Sequence, residues 1–283
     1  MSDLVMKIWN IELGLAVHVK SPNGKWIVID LGSTEKFSPL QALGHSMIDY
    51  LVVTHPHLDH FSDIDNLDSR RVCVLNACRH YKRNELLDGV DDSVASKIEL
   101  YCDLVNNFAF PIAPEFDPRN KNAFGGLTTH CFRASNCDKA NKNNHSAIVV
   151  LVLGKKKIVV CGDNEKESFD CLMKDINFRS SVGQCDILVA PHHGRESGFY
   201  ESFVKIACPK LTIISDSSNV DTSAVSRYSS LSTGYRVFNM DNGSCEYRKC
   251  LTTRCDGDIV VATDGIEMRV SNNVPRSFSR NYF

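Results

Sequence analysis

The sequence predicts an α/β fold in which two mixed β-sheets lie face to face with helices outside them. Short apolar, β-rich runs alternate with helical patterns through the middle of the chain, and hairpin patterns stand at both ends. Because each sheet must bury at least one face against another layer, this succession favours stacked sheets covered by helices. Polar clusters rich in His and Asp directly follow two of the apolar runs, so we expect a functional site at those strand ends.

Length and composition narrow the class of protein. A chain of 283 residues suits one large α/β domain or two small ones, and 43% hydrophobic residues supply a sizeable core. A net charge of −2 excludes a protein that holds nucleic acid over its whole surface, although a local basic patch remains open. The 12 cysteines form no Cys-x-x-Cys pair, and no signal peptide or membrane-length apolar stretch is present. We therefore predict a reduced, soluble, cytoplasmic protein without a membrane span.

The first half of the chain opens with strands. Apolar runs at 6–13, 16–19 and 25–29, the last two flanking the turn Ser21-Pro22-Asn23-Gly24, predict a β-hairpin that is closed by Asp30-Leu31-Gly32. A short helix is expected over 40–48, a strand over 50–54 and another over 72–75, a long helix over 90–108 and a proline-containing loop over 110–122. Basic residues surround the 72–75 run, and they form either a phosphate-facing rim or a solvated edge: Arg70, Arg71, Arg79, His80, Lys82 and Arg83.

The second half repeats the alternation. Strands are expected over 127–132, 147–153, 158–160, 186–190 and 211–214, with a helix over 199–207 and terminal strands over 235–238, 258–262 and 267–270. An asparagine-rich loop fills 135–144, and a serine-rich polar stretch fills 215–232. Loops of this kind often carry function because a rigid scaffold positions them.

The strongest chemical signal is the segment that follows the strand at 50–54. It reads His55-Pro56-His57-Leu58-Asp59-His60, so three imidazoles and one carboxylate fall within six positions. Imidazole and carboxylate are ligands that Zn²⁺, Mn²⁺ and Fe accept. The pattern contains two subsets, His55 with His57 and Asp59 with His60, and each could begin one metal site. The alternative is an exposed histidine-rich loop without a metal.

This segment resembles the His-x-His-x-Asp-His signature of the metallo-β-lactamase fold. Two later segments resemble that fold's other metal motifs: Cys161-Gly162-Asp163 and Pro191-His192-His193-Gly194. The amino-acid sequences of these motifs are most similar to those in the soluble hydrolase domain of ComEC-like competence proteins. The resemblance runs from residues 9–14 to about residue 270. It implies a four-layer αββα sandwich with metals at one edge, a single domain over 1–283 and a family-specific stretch at about 62–125. The membrane channel of ComEC is not encoded here.

The resemblance also implies a ligand set for two divalent ions, Zn or Mn. His55, His57 and His145 would hold the first metal, Asp59, His60 and His193 the second, and Asp163 would bridge them. His145 could instead be an ordinary loop histidine. His192, the other member of the pair, would face the substrate or bond from behind the ligands. Asp30 would hydrogen-bond a ligand histidine, or it is simply a turn carboxylate.

The catalytic expectations follow from those metals. A hydroxide forms between two such cations at neutral pH because coordination lowers the pKa of bound water toward about 7. Asp59 would orient this nucleophile, and Arg195, where the family usually has serine, would bind a phosphodiester unless it pairs with Glu196 or Glu201. The segment Asn219-Val220-Asp221-Thr222 lacks the histidine and proline of ComEC-like proteins, so a proton-donating role there is filled differently or the activity differs.

We therefore expect a metal-dependent phosphodiesterase or nuclease that acts on nucleic acid. A small-molecule hydrolase is the first alternative: a cyclic-nucleotide or phosphorylcholine-type phosphodiesterase, or a lactonase. A regulatory or binding subunit that keeps the fold without turnover is the alternative of another class. A protein partner or a homodimer remains open.

Overall fold

The computed structural model describes residues 3–44, 46–108, 112–217 and 223–276. Its strands are β1 Leu4–Ile8, β2 Val17–Lys20, β3 Trp26–Ile29, β4 Tyr50–Val53, β5 Leu75–Ala77, β6 Thr128–Phe132, β7 Ile148–Leu153, β8 Lys156–Val160, β9 Ile187–Val189, β10 Leu211–Ile214, β11 Tyr235–Asn239, β12 Cys245–Arg248, β13 Cys250–Thr252, β14 Ile259–Thr263 and β15 Met268–Asn272. Its helices are α1 Pro39–Leu43, α2 Arg83–Leu87, α3 Asp92–Asn107, α4 Lys166–Leu172, α5 Ile176–Val182, α6 Glu201–Ala207, α7 Val225–Leu231 and α8 Thr253–Asp256. Short 3₁₀ turns occur between them, notably at Leu58–His60 and Pro191–Gly194.

The strands form two mixed sheets. The first has the order β12-β11-β15-β14-β1-β2-β3-β4-β5, and the second has the order β13-β10-β9-β8-β7-β6. β3, β4 and β5 run parallel, as do β8, β9, β10 and β13. Strands from opposite ends of the chain meet in the first sheet, where β1 pairs with β14.

Side-chain alternation explains the layering. In β4, Tyr50 and Val52 join the apolar core between the two sheets, whereas Leu51 and Val53 join a separate core beneath α2 and α3. In β9, Ile187 and Val189 face the central core and Leu188 packs under the helices of the second sheet. A strand that is buried on both faces has apolar residues at every position, because successive side chains point to opposite faces. The result is the predicted four-layer αββα sandwich.

Several element predictions need correction. The helix expected over 40–48 ends at Leu43, where Gly44 follows with a φ of 71°. The strand expected over 72–75 is continuous only from Leu75 onward, although Val72 forms an isolated parallel bridge with Ile48. The serine-rich stretch at 215–232 contains α7. Helices α2, α4, α5 and α8 and strands β12 and β13 were not predicted. None of these changes moves the strands that carry the polar clusters.

The sheet topology gathers strand ends at one edge. β3 and β4 of the first sheet end near Asp30 and His55, and β8, β9 and β10 of the second sheet end near Asp163, His192 and Ser215. Parallel neighbours within a sheet end at the same edge, so these side chains are brought together. Across the described part of the chain, helices are all too short or too polar to cross a membrane.

Candidate metal centre

The loop after β4 is held against the opening hairpin by a close backbone approach. The Leu15 N–H donates to the Asp59 carbonyl over 3.3 Å. A Cβ atom at Gly14, where φ is +107°, would lie 2.1 Å from that same carbonyl oxygen. Gly14 is therefore required for the loop to sit this close, because a side chain there would collide with backbone. This contact sets the direction in which Asp59 and His60 project.

Asp163 follows β8 through a glycine with similar constraints. Gly162 has a φ of +55°, and a Cβ there would lie 2.9 Å from Thr54 Cβ and 3.0 Å from Ser146 Cβ. The Ser146 hydroxyl accepts a hydrogen bond from the Asp163 N–H over 3.0 Å. The Asp163 side chain is thereby delivered to the junction between the two sheets, where it is buried.

The histidine pair after β9 has an unusual backbone. His192 (φ 47°, ψ 51°) and His193 (φ 51°, ψ 32°) are both left-handed, and Gly194 follows at φ 68°. Non-glycine residues in this region cost about 1–3 kcal/mol each, and such costs concentrate at functional sites. The strain lets two adjacent residues both direct their imidazoles toward Asp163.

Two groups of donor atoms result, and Asp163 belongs to both. One group contains His55, His57 and Asp163, and the other contains Asp59, His60, Asp163 and His193. In the second group, His193 Nε2 lies 3.3 Å from oxygens of both Asp59 and Asp163 and 3.3 Å from His60 Nε2. In the first, His55 Nε2 lies 3.0 Å from His57 Nδ1 and 3.8 Å from Asp163 Oδ2.

These spacings fit divalent metals. Ligand bonds of about 2.0–2.1 Å in tetrahedral geometry place neighbouring donor atoms about 3.3–3.4 Å apart. The donor set of imidazoles and carboxylates is one that Zn²⁺ and Mn²⁺ accept. The shared carboxylate also has two oxygens, one of which, Oδ1, lies 3.2 Å from His60 Nε2, while Oδ2 faces His55 and His193. The residues present therefore fit divalent metal ions, and Asp163 offers an oxygen to each donor group.

Hydrogen bonds behind the donors orient them. Asp30, which has a φ of 59°, accepts from His60 Nδ1 over 2.7 Å and from the Thr54 N–H and hydroxyl over 2.7 and 2.8 Å. His193 Nδ1 donates to the Ser215 carbonyl over 3.1 Å. A carboxylate or carbonyl behind an imidazole fixes its tautomer and turns the other nitrogen's lone pair inward. Asp30 thus lies beneath the loop at 55–60 and accepts a hydrogen bond from a donor histidine.

Electrostatics in the cluster couple the imidazoles to the carboxylates. Burial opposes charge on every member, lowering the pKa of His193 and raising that of Asp163. Their mutual attraction outweighs burial, so the pKa of His193 rises to about 9 and the pKa of Asp163 falls well below its usual range. His55 behaves differently: burial, followed by repulsion from His60, lowers its pKa well below normal. Anionic oxygens and neutral imidazole nitrogens thus coexist in one buried volume.

His145, which the sequence predicts as a ligand of the first metal, belongs to neither donor group, and nor does His192. The Nε2 of His145 donates to the Asp138 carbonyl over 3.2 Å, and its ring stacks on His80 with centroids 4.4 Å apart. The residue does lie near the correct edge, because it precedes β7, which is antiparallel to β8, but its ring packs against the asparagine-rich loop.

Sequence reasoning missed Glu165. This carboxylate accepts from His192 Nδ1 over 2.9 Å and from the side-chain amides of Asn141 and Asn143 over 2.7 and 3.2 Å. The asparagine-rich loop is therefore fastened to the start of α4. The available signal was a carboxylate two positions after Asp163, just beyond the same strand.

The donors line an open cleft of about 570 Å³ between the sheets. Arg195 also lines it, next to the histidine pair, and its Nε is buried without a hydrogen-bond partner among the described residues. A neighbouring cleft of about 690 Å³ shares Leu13 and Ser33 with the first. The segment Asn219-Val220-Asp221-Thr222, where the sequence departs from ComEC-like proteins, lies outside the described residues.

Comparison with known proteins places this geometry in a family. Residues 13–215 match the family model of the metallo-β-lactamase superfamily. One similar solved structure is the metallo-β-lactamase fold protein YhfI from Bacillus subtilis, with 12% identity, 76% of this chain and 88% of that chain covered, and a TM-score of 0.45. Another is the isothiocyanate hydrolase from Delia radicum gut bacteria, with 14% identity, 77% of this chain and 87% of that chain covered, and a TM-score of 0.43. A third is the short form of human tRNase Z, with 14% identity, 77% of this chain and 96% of that chain covered, and a TM-score of 0.42. No curated protein sequence matches the chain significantly.

The matched region contains the loop at 55–60, Asp163 and His193, which supply both donor groups. A family match over most of the chain and a donor set that fits divalent cations agree with each other. The coarse class is that of the superfamily's metal-dependent hydrolases. The chain belongs to the metallo-β-lactamase superfamily.

Proposed function

We propose that the protein is a two-metal phosphodiesterase, with Zn²⁺ or Mn²⁺ held by the two donor groups. The observation that carries the choice of a phosphodiester is Arg195. Its Nε is buried at the cleft and has no hydrogen-bond partner among the described residues. A guanidinium beside a metal cluster is suited to bind the two non-bridging oxygens of a phosphate through parallel, charge-assisted bonds.

The two surface carboxylates considered as partners of Arg195 form ion pairs with other residues. Glu196 pairs with Arg227 over 2.6 Å, and Glu201 pairs with Lys205 over 2.5 Å. Both carboxylates that could have neutralised Arg195 from the surface are thus paired with other cations. The charge of Arg195 also acts on the buried Asp216, and its side chain lines the cleft, where it can bind an anion that enters from solvent. This position supports a role in substrate binding.

The remaining roles follow from position. The bound cations supply charge neutralisation and a lowered pKa for water, which is the chemistry that hydrolysis of a phosphodiester needs at neutral pH. Asp59, whose side chain is 26% exposed and faces His193 over 3.3 Å, lies where it orients the attacking group. Arg195 binds the phosphate, and the cleft wall at Leu13 and Leu58 limits water on one side.

Nucleic acid is the substrate that we propose first. The cleft continues past Leu13 and Ser33 into the second one, so the groove is longer than a single phosphodiester. Lys36 and Arg276 line this extension, together with Glu12 and Glu35.

A small phosphodiester is the second candidate, and the basic interval favours it. Arg83 pairs with Glu99 and Asp103, Arg70 pairs with Asp68, and Arg79 donates to the Val105 and Phe108 carbonyls. These arginines bond within the chain, so the interval reads as a structural edge rather than a phosphate-facing rim.

The test uses the protein reconstituted with Zn²⁺, Mn²⁺ or Mg²⁺. Its substrates are plasmid, single-stranded DNA, RNA, a chromogenic phosphodiester and a lactone. Arg195→Ala should lower phosphodiester kcat/KM by about 10- to 150-fold, corresponding to about 1.5–3 kcal/mol for a hydrogen bond to a charged group. Arg195→Lys should recover only part of this, because an ammonium lacks the planar fork.

Arg227→Ala is the matched control, since Arg227 is a nearby arginine that pairs at the surface. Its rates should equal those of the wild type. Unchanged phosphodiester hydrolysis in Arg195→Ala, or turnover confined to the lactone, would contradict the proposal.

A further inference from the structure

Three imidazoles of the donor groups, those of His55, His60 and His193, share a pattern in how their two nitrogens are used. One nitrogen bonds a group behind the ring, and the other faces Asp163. His60 bonds Asp30 and faces Asp163 Oδ1, and His193 bonds the Ser215 carbonyl and faces Oδ2. His55 also fits, with Thr54 Oγ1 lying 3.2 Å from its Nδ1. When one imidazole nitrogen donates a hydrogen bond, the other nitrogen carries the lone pair that can bind a metal.

His192 has the same pattern. Its Nδ1 lies 2.9 Å from Glu165 Oε1 and 2.8 Å from Ser197 Oγ, so the ring proton resides on that nitrogen. Its Nε2 therefore carries the lone pair, and it lies 3.9 Å from Asp163 Oδ2. His55 Nε2 lies 3.8 Å from that same oxygen. The two imidazoles thus face one carboxylate oxygen at matching distances.

The first donor group has one protein ligand fewer than the second. It contains three, His55, His57 and Asp163, whereas the second contains four. The residue expected to complete it, His145, has its Nε2 committed to the Asp138 carbonyl. Among the described residues, His192 Nε2 is the further imidazole nitrogen that faces Asp163.

We infer that His192 is the third imidazole ligand of the first metal and that Glu165 is its positioning residue. This inference rests on the proposed two-metal site. It changes the assignment of His192 from a residue facing the substrate to a ligand, and it makes both members of the histidine pair ligands, one for each ion. The consecutive left-handed backbone at 192–193 is what allows adjacent residues to serve two different ions.

Glu165 acts through its negative charge and its fixed place. It is held by the side-chain amides of Asn141 and Asn143 over 2.7 and 3.2 Å, so its carboxylate stays directed at His192 Nδ1. A carboxylate behind the ring keeps the proton on Nδ1 and raises the basicity of Nε2. Loss of such a partner commonly weakens metal affinity by about 10- to 100-fold.

The first experiment compares two histidines by metal binding alone. His192→Asn and His145→Asn are matched substitutions, and Asn tolerates the left-handed backbone at position 192. Elemental analysis and competition with a chromophoric chelator, using Zn²⁺ and Mn²⁺, measure the number of ions and their affinities. His192→Asn should retain about one ion firmly, whereas His145→Asn should retain two.

A second measurement needs no variant, so it holds even if His192→Asn fails to fold. In ¹⁵N-labelled wild-type protein, the Nε2 resonance of His192 should shift on addition of two equivalents of Zn²⁺, while the His145 resonances stay in place. A fixed His192 Nε2 resonance, or loss of an ion in His145→Asn with two retained in His192→Asn, would overturn the inference.

The positioning role of Glu165 is tested by two substitutions, one that removes the hydrogen-bond acceptor and one that keeps it. Glu165→Leu should weaken the first site by about 10- to 100-fold, and Glu165→Gln should recover most of that affinity because its carbonyl still accepts from Nδ1. Glu167→Leu is the control, since Glu167 bonds Asn144 and the Asp138 N–H but no imidazole in the described residues. Equal affinities in Glu165→Leu and Glu167→Leu would refute the positioning role.

The outcomes separate this inference from the proposed function. If phosphodiesters are hydrolysed but His192→Asn retains two ions, the ligand assignment fails and the function stands. If no phosphodiester is hydrolysed but His192→Asn loses one ion, the ligand assignment stands and the function fails. A wild-type protein that binds fewer than two ions overturns both.

Discussion

Two buried polar clusters in this protein neutralise their charge in different ways. In the first, Lys7 lies 2.9 Å from Asp258, with both side chains almost fully buried, and its ammonium lies 3.8 Å from the centre of the Trp9 ring. In the second, at the metal centre, the described ion pairs of Asp59 and Asp163 are all with histidines. The first cluster contains its own ammonium group, whereas among the described residues the carboxylates of the second pair with imidazoles, so protons on those imidazoles or metal ions neutralise them.

This difference shows which cluster is structural. A buried carboxylate that is paired with lysine is satisfied at any pH near neutrality, and nothing exchangeable is needed. A buried carboxylate surrounded by imidazoles takes up protons when cations are scarce and releases them when cations bind. The raised pKa values of His60 and His193 reflect this exchange, because burial alone would have lowered both and the nearby carboxylates reverse it.

The largest expected effect comes from removing the shared carboxylate. Asp163→Ala should lower the bound metal to one ion or fewer and reduce phosphodiester hydrolysis by about 10³-fold or more, since several kcal/mol of transition-state stabilisation depend on the metals. Elemental analysis and steady-state kinetics measure the two effects, and circular dichroism checks the fold. Two retained ions with near wild-type rates would show that Asp163 is not the bridge.

The matching change in the other cluster should affect stability and leave metal content alone. Lys7→Met leaves Asp258 buried without its cation, so the free energy of unfolding should fall by about 3–5 kcal/mol. Urea unfolding measures this loss. Lys205→Met, which breaks an exposed pair with Glu201, should change stability by less than about 1 kcal/mol. A loss of metal in Lys7→Met would mean that the two clusters are not independent.

The smallest expected effect is a change of folding stability with pH, which arises from a buried histidine at the first cluster. His18 packs edge-on against Trp9, and burial, aided by Lys7, lowers its pKa from the ordinary 6.5 to about 3. Between those values the unfolded state binds more protons at His18, so stability falls with decreasing pH, by at most about 1.4 kcal/mol per pH unit. Subtracting the unfolding free energies of His18→Gln from those of the wild type between pH 6.5 and 4, both with metal chelated, isolates this slope. A difference that does not vary with pH would exclude a buried neutral His18.

The sequence predicted the fold well because the informative patterns are local. β10 has the predicted bounds, and the apolar runs at 50–54 and 186–190 predicted the buried strands β4 and β9. The motifs at 55–60, at Asp163 and at the histidine pair were expected to meet, since each follows a strand, and the structure brings them together.

What could not be predicted depends on contacts between distant residues. The ring of His145 is oriented by His80, 65 positions away, and no local pattern reports that stacking. The role of Glu165 depends on the direction of His192, 27 positions later, which in turn depends on a left-handed backbone. Short helices α5 and α7 were missed because tertiary packing, more than periodicity, stabilises elements of two turns.

The metal centre takes its residues from both sheets, and this has a consequence for how the protein folds. His55 to His60 follow β4 of the first sheet, whereas Asp163 and the histidine pair follow β8 and β9 of the second. The segments are separated by about a hundred residues, so loop closure must precede their meeting. The complete site therefore cannot exist on a nascent chain that lacks β9, and metal loading should be a late event that stabilises the docked sheets rather than a nucleus from which they form.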